Sequence, residues 1–177
     1  LPRTLVSLYL TASSVTDLGD MSVLFPHMTL LHVIPKMSVQ STLCLDALPP
    51  KLTNLRWIVT KILRFDPTKL VDLSSLKCFH LEITQNDLFN STIWKSLPPS
   101  LEEFSCDNLD LEQLQVLHAP NLKTLRSNKL DRRLTVDELR EFLPRNLTYL
   151  SGLSPWPEYF GALPHSLKSL SCARPPT

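Results

Sequence analysis

The sequence predicts an α/β solenoid of about eight stacked repeats, with a curved parallel sheet on the concave side and helices or turns on the convex side. Three observations predict it. Leu makes up about a fifth of the 177 residues, roughly double ordinary usage. The chain carries 15 Pro against only 3 Gly. One phrase, Leu-Pro-x-x-Leu-x-x-Leu-x-apolar, recurs from end to end at a nearly constant spacing.

The clearest copies begin at Leu1-Pro2, Leu48-Pro49, Leu97-Pro98, Leu143-Pro144 and Leu163-Pro164. Looser ones run from Phe25-Pro26 to Val33, from Leu73 to Leu81 and from Ala119-Pro120 to Leu125. With the first apolar residue after the opening of each copy as an anchor, the anchors fall at 5, 28, 52, 76, 101, 122, 147 and 167, which are 20 to 25 residues apart. The apolar-x-apolar end of each phrase is the period-2 pattern of a strand with one buried face. The anchor turns the chain inward ahead of it, and Pro fixes φ near −65° where no ladder donor is needed. Stacked in parallel, the strands bury a continuous column that no single repeat could bury alone. The expected core is Leu8, Leu10, Leu31, Val33, Leu55, Trp57, Phe79, Leu81, Phe104, Cys106, Leu125, Leu150, Leu170 and Cys172.

Between strands, helix-start signals mark the convex side. Asp66-Pro67 reads as an N-cap with Pro in the first helical position, and Asp110 with Gln113 and Thr135 with Glu138 read as capping boxes. Ser154-Pro155-Trp156-Pro157 blocks a long helix, so an extended stretch or a single turn is expected there. Trp94 and Trp156 are expected to pack beneath the convex segments. The whole of 1–177 reads as one domain, cut from a longer repeat protein without its caps.

These residues resemble the leucine-rich repeat proteins over essentially the full chain. Phe89-Asn90-Ser91-Thr92-Ile93 followed by Leu97-Pro98-Pro99-Ser100-Leu101 resembles an FNIP-type repeat, a relative often found alongside F-box or kinase modules. The Leu-Pro phrase is also similar to the repeat domains of bacterial effector ubiquitin ligases, which keep a stricter and shorter period. One feature departs from the family: the Asn usual three residues after the strand is replaced by Ser13, Lys36, Thr60, Thr84, Leu109 and Leu130. The resemblance implies a protein-interaction scaffold.

Composition and motifs exclude most chemistry. A formal net charge of +1 lacks the footprint of a nucleic-acid binder, and no apolar run reaches the roughly 20 residues that cross a bilayer. Three Gly, at 19, 152 and 161, build no phosphate loop. His32 and His80 occupy equivalent strand positions two repeats apart, roughly 10 Å at the strand spacing, too far to share a metal. Cys44, Cys78, Cys106 and Cys172 show no zinc spacing. Adjacent Glu102 and Glu103 point to opposite faces, with no nucleophile set beside them. No enzyme activity, cofactor or metal is expected. Cys at core positions favours an intracellular, reducing compartment, whereas sequons at Asn90 and Asn146 suit a secreted protein.

Recognition is therefore placed on the concave sheet. Tyr9, His32, Arg56, His80, Ser105 and Arg126 read as a stripe across the strands, with Glu103 and Tyr149 beside it. Tyr and Arg combine large contact area with directed hydrogen bonds, as interface anchors do. Two roles follow. The first is a non-enzymatic module binding a protein partner, such as the recognition part of a ubiquitin-ligase adaptor. The second is a structural subunit that self-associates through uncapped repeat ends.

Overall fold

The computed structural model describes residues 3–12, 21–35, 48–59, 72–83, 92–130, 134–153 and 157–172. Its strands are β1 Ser7–Ala12, β2 Leu30–Pro35, β3 Asn54–Val59, β4 Cys78–Ile83, β5 Glu103–Leu109, β6 Thr124–Leu130, β7 Tyr149–Leu153 and β8 Ser169–Cys172. They form one open sheet in sequence order, every neighbouring pair parallel. Parallel neighbours require a return crossing after each strand. The returns carry helices α1 Met21–Leu24, α2 Thr92–Lys95, α3 Leu111–Val116 and α4 Val136–Phe142, and a 3-10 helix at Pro157–Ala162. The result is an α/β architecture compatible with a solenoid-like arrangement.

Seven of the strands are entered through the same reverse turn, which gives the prolines a more specific task than filling a donor-free position. The anchor amide donates to the carbonyl three residues back: Met28 to Phe25, Leu52 to Pro49, Leu76 to Leu73, Leu101 to Pro98, Leu122 to Ala119, Leu147 to Pro144 and Leu167 to Pro164, at 2.9–3.2 Å. Pro26, Pro50, Pro99 and Pro120 take the second position of these turns, where a fixed φ is already the one required. The anchors Met28, Leu52, Leu76, Leu101, Leu122 and Leu147 are all 0% exposed.

Register is carried from turn to strand by shared acceptors. The carbonyl just ahead of each strand takes two amides from the next unit, as Thr29 does from Thr53 and Asn54 at 2.8 and 3.0 Å, and Lys123 from Thr148 and Tyr149 at 2.8 and 3.0 Å. Side chains stitch the turns too: Thr53 Oγ1 donates to Thr29 O at 3.0 Å, and from β5 onward the residue ahead of the anchor bonds the preceding unit. Ser100 Oγ donates to Leu76 O at 2.8 Å, Asn121 Nδ2 to Pro99 O at 2.8 Å, Asn146 Nδ2 to Pro120 O at 3.0 Å, and Ser166 Oγ to Arg145 O at 2.7 Å. A polar ladder therefore stands ahead of the strands. Ser13, Lys36, Thr60 and Thr84 lie outside the described residues.

The buried face is two columns deep. The first is Leu8, Leu31, Leu55, Phe79, Phe104, Leu125, Leu150 and Leu170, each in register with the next. Trp94 closes against it, buried and edge-on to Phe104 at 4.9 Å. The second column runs Leu10, Val33, Trp57 and Leu81, then shrinks to Cys106 and Ser127. Next to Ser127 comes Gly152, with φ at 91°, where a Cβ would collide with the Ser127 carbonyl. Ser127 is buried and donates to Asp107 O at 3.2 Å.

Cys172 corrects the expected core: it is exposed. The register shifts at Gly152, so Cys172 pairs with Leu153 on the edge strand β8, which has a neighbour on one side only. Leu8, Leu10 and Leu170 are only partly buried for the same reason, since β1 and β8 are the two sheet edges. Both capping boxes form, Asp110 with Gln113 and Thr135 with Glu138. Tyr159 of the 3-10 helix packs back toward α4 and donates from its buried hydroxyl to Leu134 O at 2.9 Å. Asp66-Pro67 and Trp156 lie outside the described residues. Among the described residues no helix is long and apolar enough to cross a membrane.

Candidate functional site

Alternation along eight parallel strands puts every second side chain on the face away from the core. The central row is Tyr9, His32, Arg56, His80, Ser105 and Arg126, continued by Ser151 and Ser171, with each residue paired to the next. Beside it runs Ser7, Leu30, Asn54, Cys78, Glu103, Thr124, Tyr149 and Ser169. All eight residues singled out in the sequence fall in these two rows. Seven of them line one shallow groove of about 460 Å³ reaching from Tyr9 to Arg126. Tyr149 stands beyond its end, with the Arg126 guanidinium 4.8 Å above its ring. That distance is within cation–π range.

Contacts within the row are few. Tyr9, 66% exposed, meets the His32 ring edge-on at 5.4 Å. The His32 Nε2 is shielded from solvent and has no hydrogen-bond partner among the described residues. His80 Nε2 lies 4.0 Å from a carboxylate oxygen of Glu82. Arg56 separates the two histidines. Burial first, and then the Arg56 charge, holds both imidazoles below the ordinary histidine value; for His80, Asp107 opposes the shift. Neutral imidazoles beside a guanidinium can donate and accept hydrogen bonds without adding charge.

A third row was not singled out from the sequence. Ile58 pairs with Glu82, while Asn128 Nδ2 donates to Asp107 Oδ1 at 2.9 Å. At the rim, Glu102 bridges Lys77 at 3.2 Å and Lys123 at 2.7 Å. Hydrogen bonds from Lys123 and Lys77 keep its carboxyl below the usual range. The neighbouring Glu103 stays exposed on the groove side. The mixed charge around the groove is therefore partly neutralised within the chain.

Cys78 and Cys106 are poorly placed as nucleophiles. Burial, with Glu103 and Glu102 nearby, pushes the Cys78 thiol up, and burial pushes Cys106 up to about 12. Both are poorer thiolates than a free cysteine. Among the described residues no three His, Cys, Asp or Glu come together as a metal site. Asn146, the acceptor of one sequon, spends an amide hydrogen on the turn ladder; Asn90 lies outside the described residues.

The turn ladder is the feature that sequence reading missed, although its signal was present. Ser or Asn immediately precedes the anchor at Ser75, Ser100, Asn121, Asn146 and Ser166. No protein-family model matches the chain, and no curated protein matches it.

Proposed function

We propose that the chain is a leucine-rich repeat domain of about eight repeats that binds a protein partner through its open sheet face, the concave side of the solenoid, without catalysing a reaction. The observation that carries this reading is the unbroken row Tyr9, His32, Arg56, His80, Ser105 and Arg126, in register across six strands and lining one groove. At about 4.8 Å per strand the row is about 24 Å long, the reach of about seven extended residues. That length suits a protein surface or peptide better than a metabolite. Large, directed Tyr and Arg side chains supply anchors, and the alternation of Arg with Glu103, Glu82 and Asp107 suits a partner of mixed polarity.

The test is a joint replacement of Arg56, His80 and Arg126 by Ala. Partner recovered with the unaltered chain is lost, while Arg140→Ala on α4 retains it and the melting temperature holds. Equal recovery with the triple variant refutes the reading.

A second reading, assembly by stacking of sheet ends, is favoured by the incompletely buried Leu8 and Leu10 on β1 and Leu170 on β8. Sedimentation decides it: concentration-dependent oligomers support stacking, and a monomer throughout refutes it.

A further inference from the structure

Strands β1 to β3 differ from β4 and β5 in charge. The described residues from Arg3 to Val59 include Arg3, Lys51 and Arg56 but no Asp or Glu. The carboxylates of the open face begin at β4 and β5, with Glu82, Glu103 and Asp107. Arg56 makes no ion pair with any described residue, unlike Lys77 and Lys123 at the rim. On one side of it stands His32, whose Nε2 is buried and unpartnered; on the other stands His80. His32, Arg56 and His80 all line the groove.

We propose that His32, Arg56 and His80, set side by side by β2, β3 and β4, hold an oxyanion: a carboxylate or phosphate group carried by a protein segment lying across the groove. This rests on the open face being the recognition surface and names the group it recognises. Arg offers a planar fork for two oxygens, and an imidazole on either side can add one donor each. The anion sits toward His32, away from Glu82, Glu103 and Asp107. Tyr9, packed on His32 from β1, walls that end.

The arrangement couples the site to pH. Arg56 opposes protonation of both histidines, and His80 also faces Arg126, Asp107 and Glu82. An anion on Arg56 offsets that repulsion, so binding raises both histidine midpoints. By reciprocity, histidine protonation tightens the anion, and affinity rises as pH falls through the histidine midpoints.

Histidine proton resonances, assigned with His32→Gln and His80→Gln, are followed through pH titrations in sulfate and in chloride of matched ionic strength. Sulfate keeps its charge throughout and stands in for the anionic group. The expected result is an upward move of each midpoint by about one unit, equivalent to about tenfold tighter binding per histidine protonated. Arg56→Gln abolishes the move, whereas Arg140→Gln on α4 retains it. Midpoints indifferent to sulfate, or a move that survives Arg56→Gln, overturn the proposal. Peptides alike except for one Glu, phosphoserine or Gln then distinguish carboxylate from phosphate; binding equal to the Gln peptide also overturns it. Loss of partner binding in the triple Ala variant alongside unmoved midpoints sinks this inference and leaves the proposed function standing.

Discussion

Strands β2 to β4 and strands β5 to β7 solve one packing problem in two ways. In the first group the second core column is filled from the sheet itself, by Val33, Trp57 and Leu81, all buried. In the second group the same positions hold Cys106, Ser127 and Gly152, and apolar volume comes from outside that column. Leu109, Leu114, Leu134, Leu139 and Leu153 bury instead, and α3 and α4 are fixed by capping boxes. The turns there are bound by the Ser and Asn ladder from Ser100 to Ser166. The contrast teaches that a stacked sheet tolerates a shrinking core column when its returns supply apolar volume and its turns supply hydrogen bonds.

Substitutions that move one region toward the other sharpen this contrast. Trp57→Ala empties the larger column and is expected to cost about 3–5 kcal/mol in urea unfolding, whereas Cys106→Ala costs far less. A small Trp57 effect would show that the first region also leans on its returns. Gly152→Ala combines a left-handed φ with a collision against the Ser127 carbonyl. It is expected to cost about 2–3 kcal/mol, with Ser151→Ala near neutral. Next in size, Thr135→Ala removes the α4 cap and costs about 1 kcal/mol. Asn146→Ala breaks one exposed rung of the turn ladder and costs about 0.5–1 kcal/mol.

The smallest effects are read by pH. The folded chain resists protonating His32 and His80, so the unfolded chain binds more protons just below their ordinary value. Stability is full above about pH 6.5 and declines as pH falls through the lowered midpoints. Glu102 and Glu138 are also lowered, the first by Lys123 and Lys77 and the second by Thr135. Their contribution is present above the ordinary carboxylate range and is lost as pH falls through the lowered values. Glu102→Gln should therefore flatten the acid limb of a pH–stability curve, more at low salt than at high salt. An unchanged acid limb at low salt would count against the rim bridge.

Much of this was legible beforehand because the phrase that repeats is also the phrase that buries. Each Leu-Pro copy places its strand, and apolar-x-apolar decides which face is inward; Leu31, Leu55, Phe79, Phe104, Leu125 and Leu150 all follow. Both capping boxes were readable because they are local. Cys172 was not, since its exposure depends on a shift at Gly152 and on β8 being an edge. The turn ladder escaped because each Ser or Asn bonds a residue 21 to 26 positions away, so its partner emerges only once the units are stacked. The open row was visible as a list of positions. An Arg56 without an ion pair among the described residues, a shielded His32 Nε2 and carboxylates gathered on β4 and β5 needed the register of neighbouring strands.

The central claim is that one face recognises and the other packs. Photo-crosslinking tests it most directly, with a reactive group at Ser105 on the open row or at Glu141 on the exposed side of α4. The account predicts that a bound protein partner is captured from Ser105 and not from Glu141. Capture from Glu141 alone would contradict it.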